Sequence, residues 1–569
     1  MLPDRAPVST ALAPSGAPAR GPVSPALLVG LVLLIVLCAG ALSIDVVQTA
    51  YSPKGDEATY AGLALSLAHD RNFTFERQDL VRFWQIYHKG PEGIFLKRGR
   101  GGRIYFAKAF IYPLVAAPFV WLFELNGMLL LNVLLLAAAC LCGYQFLRCL
   151  ARPPTALAFS LGFIGASITP IYAVWLTPEI FNFALVFYAY FFWFYKEVAP
   201  PAEGRWAAFL RGPSSDIVAA VLLGLATYSK PTNVMLVAPA VLIWWTRRHW
   251  ARGLLIGVLF AAVTAGTFGV NALVTGEWNY QGGDRKTFYG TFPDQQPTLT
   301  FDNTGISKAT NDADTGHVIE TPKFWPQLAH NVWYFFVGRD AGFVPYYFPG
   351  VVVILLWLFA AEQRRLWQAF TLLAVAASVL ALLIFAPNTW AGGGGPPGNR
   401  YFLSLYPALF FLVPPLGSVV PALVVWVGGA AFVAQSLVNP FVASKDVWRT
   451  VDTGLVSRLP IELTMVSDLP INLDRSRSHL VYSSEPTILL YLMDEHAYPP
   501  ELGGVWVAGE ARSHIVFRTD RPISALTLTL SAPIPNQVYV SLGNHGSNVA
   551  LKAGVPATVS LSSSGVFSD

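Results

Sequence analysis

Two adjacent acids, Asp56 and Glu57, follow the first long apolar segment, and a third, Glu179, follows Thr177-Pro178. Isolated cations accompany them. Lys108 lies in Tyr105-Phe106-Ala107-Lys108-Ala109-Phe110-Ile111-Tyr112-Pro113, Lys230 precedes Pro231, and Arg400 closes the Gly-rich stretch that runs from Trp390 to Asn399. A carboxylate within hydrogen-bond reach of a hydroxyl can take its proton. Lysine as a point charge and arginine as a planar fork suit a phosphate that gains charge as it leaves. Such a set at a membrane surface is equipped for group transfer from a lipid-borne phosphate.

Each of these residues also has a plainer reading. Acids favour helix amino termini, which would explain Asp56, Glu57 and Glu179. Lys108 could snorkel to the interface and Lys230 could serve a helix end. The Gly392 to Gly395 run could be a flexible loop, and it is no P-loop, because no Gly-Lys-Ser/Thr follows. His88, His317 and His330 are too scattered for a metal site and are expected to be solvated or hydrogen-bonded. What favours chemistry is the recurrence of acids and cations at one face.

The elements that must position them are membrane helices. Hydrophobic residues make up 54% of the 569 and charged residues 13%, and mean hydropathy is +0.48. Those values exclude an ordinary soluble protein. A net charge of +4 and the lack of a basic stripe interleaved with aromatics exclude nucleic-acid binding. Cys38, Cys140, Cys142 and Cys149 lie in or beside apolar segments, so they read as small hydrophobes rather than a disulfide framework or a zinc pattern.

A hydrocarbon core about 30 Å thick needs about 20 apolar residues per helix. The hydropathy pattern predicts about 11 transmembrane helices. They fall near 25–47, 127–147, 156–175, 181–195, 216–229, 234–245, 253–274, 343–359, 369–386, 402–413 and 419–438. The apolar stretch 107–123 is interrupted by Lys108, Pro113 and Pro118 and is placed on the membrane surface. Arg148 with Arg152, Lys196 with Arg205 and Arg211, Arg247 with Arg248 and Arg252, and Arg364 with Arg365 fall in alternate connections, which puts those loops and the amino terminus in the cytoplasm. Residues 1–24 form a Pro/Ala-rich leader expected to be disordered. Residues 25–438 form the transmembrane catalytic domain, with large outer loops at 48–126 and 276–340. Ala39-Gly40-Ala41 resembles a signal cleavage site, but the apolar run exceeds the usual length of about 7 to 15 residues.

From 439 the pattern changes. Alternation at 514–517, 525–530, 537–540 and 557–561 predicts short strands of a soluble, extracytoplasmic, all-β sandwich-like domain over 439–569. It has no cysteine and no metal-ligand spacing, and His514 and His545 stand alone. Docking or orienting an acceptor and a purely structural cap are equally open roles.

The order of motifs resembles the GT-C superfamily of membrane glycosyltransferases. It comprises an acid pair after the first span, a Lys and Tyr-Pro surface helix, a Thr-Pro-acid turn, a Ser-Lys-Pro turn and a late Gly-rich loop ending in Arg-Tyr-Phe. The family 39-like group, with protein O-mannosyltransferases and lipid A aminoarabinose transferases, is the nearest in pattern. The resemblance covers roughly 27–438 and implies inverting transfer of a sugar from a polyprenyl-phosphate donor to an extracytoplasmic glycan, lipid or protein. It implies Asp56 as general base, Glu57 orienting substrate or binding a metal, Glu179 holding acceptor or sugar, and Lys108, Arg400 and, by a weaker match, Lys230 on the donor phosphate. No cofactor is specified, and a need for a divalent metal stays open. A bacterial inner membrane with a periplasmic active site fits this architecture. The alternatives are a lipid or sugar transporter or flippase, which would place ionisable residues nearer the midplane, and a membrane scaffold for the carboxyl domain.

Overall fold

The computed structural model describes residues 25–50, 53–201, 203–307, 324–484, 487–501, 504–520, 523–543 and 545–562. The expected leader and His317 lie outside the described residues. Within them, a polytopic helical region is followed by a carboxyl-terminal region of β-sheets.

By length and composition, four described helices can cross a membrane: Asn126–Leu147, Trp250–Thr275, Leu366–Phe385 and Val420–Val438. Arg205–Arg211 with Pro213–Ser229, bent by 62°, makes a fifth if the pair is one span. These long helices do not by themselves confirm the expected count of about 11, and Leu28–Ser43, Pro153–Gly165, Pro231–Thr246 and Phe348–Phe359 are apolar but shorter. Several of the predicted spans are shorter or broken helices. The stretch 156–175 is two helices, Pro153–Gly165 and Thr169–Val174. The stretch 402–413 holds only the short helices Arg400–Leu403 and Tyr406–Phe410, with Phe402 to Val413 buried. Protein rather than lipid surrounds this broken segment, so its loosened backbone can find partners. Gln368 Nε2 donates to Phe411 O at 3.2 Å and to Leu412 O at 3.3 Å.

Aromatic packing holds this segment in the bundle. Tyr406 stacks on Phe163 at 4.3 Å between ring centroids, Phe410 lies 5.0 Å from Phe187, and Phe411 lies 4.9 Å from Phe146. Each such pair contributes about 0.5–1.5 kcal/mol beyond its buried area. The helix Ile111–Phe123 buries Tyr112, Ala116 and Val120 and exposes Leu114, Trp121, Leu122 and Phe123. Both of its faces are apolar, one packed on protein and the other exposed.

The two large loops converge in one antiparallel sheet of order β2-β1-β3-β4. The first loop supplies β1 (Glu92–Arg98) and β2 (Ile104–Phe106), and the second supplies β3 (Arg285–Tyr289) and β4 (Ile306–Ser307). Register pairs Leu96 with Phe106 and Phe95 with Thr287. The sheet is joined to the helix Asp56–His69 through Thr59 Oγ1, which accepts from Phe95 N at 3.0 Å and donates to Gly55 O at 2.9 Å.

Residues 440–473 are not strands. They form the helix Pro440–Lys445 and 3-10 turns, with Phe441, Trp448, Met465 and Leu469 buried. The sheets begin later. They are β5 (Leu480–Ser484), β6 (Thr487–Leu492) and β7 (Ile515–Thr519) in order, β8 (Ala525–Leu530) with β11 (Ala557–Ser562), and β9 (Asn536–Leu542) with β10 (His545–Leu551). The four predicted strands fall in β7, β8, β9 and β11. The described strands of the tail pair into three small antiparallel sheets.

Close helix approach depends on Gly429, where an added Cβ would sit 2.1 Å from Ala166 O. Gly429→Val is expected to destabilise the protein by about 1–3 kcal/mol. Gly266→Ala, with nothing within 4 Å of its new methyl group, should leave the unfolding midpoint of the detergent-solubilised protein nearly unchanged.

Candidate active site

Asp56 occupies the first turn of its helix, where the amino-terminal dipole favours negative charge. The chain reaches it through Gly55, whose φ of 56° suits glycine and whose N–H donates to Glu92 O at 2.8 Å. Lys108 Nζ lies 2.6 Å from Asp56 Oδ1, and Arg400 Nη1 lies 2.8 Å from Asp56 Oδ2. One carboxylate is thus gripped by two cations that come from distant parts of the chain. The side chains are 14%, 8% and 12% exposed, so water screens the three charges little.

The Gly-rich loop is what aims Arg400. Asn399 caps the short helix Arg400–Leu403 through a bond from Phe402 N at 2.9 Å, and Arg400 N donates to Ala391 O at 3.1 Å. Gly392 has φ of 102°, and a Cβ there would lie 2.5 Å from Arg400 Cγ. The glycine is required because the arginine side chain runs across it. Its guanidinium faces the Trp175 ring at 5.4 Å.

Glu179 and Lys230 form a second buried pair at 2.9 Å, and Lys230 Nζ also donates to Arg400 O at 3.1 Å. Lys230 is therefore tied to the backbone of Arg400 and to an acid. Glu179 begins the helix Glu179–Val198, so its plainer role as a helix start is met as well. Glu57 points elsewhere. Its Oε1 accepts from Leu176 N at 3.1 Å and its Oε2 meets Lys445 Nζ, an arrangement that binds the helix Asp56–His69 to the 174–178 turn and to the helix Pro440–Lys445.

Several residues of the site carried no signal in the sequence. Arg285 of β3 stacks its guanidinium over Phe95 at 4.4 Å, and Lys108 Nζ lies 4.9 Å from the centroid of the same ring. No carboxylate pairs with Arg285 among the described residues, and its Nε and that of Arg400 are buried without hydrogen-bond partners. Asp468, from the 3-10 turn Leu463–Asp468, acts electrostatically on Arg400 and comes within 3.0 Å of where a Gly393 Cβ would stand. Lys445 and Asp468 both lie beyond the last apolar helix. His330 Nδ1 contacts Pro326 O at 2.7 Å and His88 ends the helix Arg77–Tyr87. The four cysteines are free.

Burial alone would raise the Asp56 carboxyl, but Lys108 and then Arg400 overcome it and hold the group well below the usual carboxylate range. Burial draws Lys108 down to about 8 against the pull of Asp56, with Arg285 and Arg400 adding to the decrease. Both shifts have one origin. The cluster holds Lys108, Lys230, Arg285 and Arg400 against Asp56, Glu179 and Asp468, so positive charge is in excess and the lysine carries part of the strain.

The tail also alters one sequence expectation. Asp452, Asp494 and His496 place ligand atoms within 4.8 Å of one another, a group that could hold a metal ion although no sequence spacing announced it. His514 does not stand alone, because Arg339 Nη1 approaches its Nδ1 at 3.2 Å.

No protein-family model and no curated protein sequence matches the chain. Two solved structures of ArnT from Cupriavidus metallidurans do match, one bound to undecaprenyl phosphate and one in the apo state. Identity is 15% and 13%, and the TM-score is 0.39 for each. The alignments cover 67% and 68% of this chain but only 59% and 58% of the ArnT chains. The chain thus matches less than two thirds of the length of those proteins.

The Glu57–Lys445 pair yields a stability prediction, because removing one partner strands a buried charge. Lys445→Met should cost about 3–5 kcal/mol, and the double variant Glu57→Gln with Lys445→Met should regain much of that loss. Thermal unfolding of the two variants beside wild type measures the difference.

Proposed function

We propose that the chain is a GT-C-type, family 39-like inverting glycosyltransferase that moves a sugar from a polyprenyl-phosphate-linked donor to an extracytoplasmic acceptor, with Asp56 as general base. The observation that carries this reading is the cationic excess around a clamped carboxylate, with two buried guanidinium Nε donors left unpaired. Unpaired buried donors are costly, and an anionic group in the cluster would satisfy them. A phosphate at the membrane face is such a group.

The chemistry follows from the charges. The donor phosphate takes up Lys108, Arg400 and Arg285, and competition for the first two loosens their hold on Asp56. The freed carboxylate regains basicity and accepts the proton of the acceptor hydroxyl as that oxygen attacks the anomeric carbon. The bond from the anomeric carbon to the phosphate oxygen breaks, and its electron pair leaves with the polyprenyl phosphate, whose added negative charge the same cations stabilise. A single displacement inverts the anomeric centre. Glu179 and Lys230 hold Arg400 in place, and Glu57 acts as a positioning residue that fixes the helix bearing Asp56. The acceptor is a hydroxyl-bearing glycan, lipid or protein presented at the outer face of a bacterial inner membrane.

Transfer of labelled sugar from a polyprenyl-phosphate donor by protein in lipid nanodiscs tests this reading. Asp56→Asn should lower the rate by about 10²–10⁴-fold with folding retained. An unaffected rate would remove Asp56 from the chemistry. Loss of the Lys108 proton should produce an alkaline limb near pH 8 in kcat/KM, because that ratio reports the free enzyme. Lys108→Arg, which stays protonated, should move this limb to higher pH.

A further inference from the structure

We propose a separate divalent-cation site, of the zinc class, formed by Asp452, Asp494 and His496 where the carboxyl-terminal region meets the helical domain. His496 Nδ1 lies 2.8 Å from Asp452 Oδ2 and 3.7 Å from Asp494 Oδ1. A cation about 2.1 Å from nitrogen and oxygen ligands requires separations of about 3–3.7 Å between them. The first separation falls just short of that range, the second lies at its upper end, and all three ligand atoms lie within 4.8 Å of one another.

Proximity alone does not point to a cation here; the directions of the groups do. Asp452 Oδ2 and His496 Nδ1 are both shielded from water, yet neither makes a hydrogen bond. The Asp452 side chain is 5% exposed, and its second oxygen is left facing the imidazole off the hydrogen-bond axis. A buried carboxylate oxygen and a ring nitrogen 2.8 Å apart share either a proton or a metal ion, and the absence of a well-aligned hydrogen bond between them favours the metal ion.

The surrounding groups hold the ligands as supporting contacts hold those of metal sites. Arg339 Nη2 binds the other oxygen of Asp452 at 3.0 Å. Asp494, fully buried, accepts from Ser513 Oγ at 2.9 Å and from His496 N at 3.0 Å through Oδ1, and from His514 N through Oδ2. Arg339 is an obligate donor, so His514 Nδ1 accepts from it and is not a ligand. Of the two carboxylates, Asp452 pairs with Arg339 whereas Asp494 is met by hydrogen bonds, and a divalent cation offsets the remaining negative charge. The imidazole and carboxylate donors suit zinc rather than calcium. His496 is 33% exposed, which leaves a side open for water.

The ligands give the site its purpose. Asp452 belongs to the turns packed on the helical domain, and Arg339 beside it follows the helix Phe324–Val337, whereas Asp494 and His496 follow β6. A cation there clips the sheets to the domain that carries Asp56. This inference does not rest on the glycosyltransferase reading, and either can fail without the other.

The test uses the full chain, purified in detergent with a tag free of histidine, loaded with zinc chloride and desalted through a weak chelator. Elemental analysis of wild type should find about one zinc per chain. His496→Ala, whose lost side chain makes no hydrogen bond, should fold as judged by circular dichroism and size exclusion and should lose that zinc. Zinc should raise the unfolding midpoint of wild type and leave that of His496→Ala unmoved, because only a cation bound to the folded chain stabilises it. Equal zinc in the two proteins would place the metal elsewhere and overturn the proposal, as would wild type that retains none.

Discussion

The arrangement depends on one shared anion. Asp56 is held between Lys108 and Arg400 inside protein, at distances where unscreened charges interact strongly. Neither cation could be buried there without the carboxylate, and the carboxylate could not remain ionised without them. Three remote stretches of chain are therefore fixed to one point, and the remaining contacts of the site serve to hold that point still.

The fold meets this demand from several directions. The sheet built by both large loops carries Phe95 beneath Lys108 and brings Arg285 alongside. The buried segment from Phe402 to Val413 sets the height of Arg400, and the glycines before it let the side chain lie flat across the loop. The turns after residue 439 close the site, since Lys445 neutralises Glu57 and Glu462 Oε1 accepts from Ala341 N at 2.7 Å and from Asp340 N at 3.0 Å. Gly338 leaves room for that acid, as a Cβ there would stand 2.1 Å from Glu462 Oε1.

Part of this was legible in the sequence and part was not. Asp56, Lys108, Glu179, Lys230 and Arg400 stood out because a charge at the edge of an apolar run is costly to keep, and the structure brings all five together. Glu57 stood out for the same reason but turns away, because successive residues on a helix point in different directions. Arg285 lies in a polar stretch where charge is ordinary, and Asp468 lies beyond the last apolar helix, so only the sheet register and the 3-10 turns reveal them. The helices were harder to count than to detect. Hydropathy sees apolar stretches but not that Phe402 to Val413 is wrapped in protein, which lets it break where lipid would forbid it. Alternation found β7, β8, β9 and β11, yet missed β6, where Ile488 to Leu492 is a continuous apolar run.

The central claim is that Asp56 and an incoming phosphate compete for the same two cations. Equilibrium binding of a polyprenyl phosphate to wild type and to Asp56→Asn in nanodiscs tests it most directly. The account predicts tighter binding to Asp56→Asn, by about tenfold or 1.4 kcal/mol, because a competing anion has been removed. Equal or weaker binding would mean that the carboxylate and the phosphate do not share Lys108 and Arg400, and the account would be wrong at its foundation.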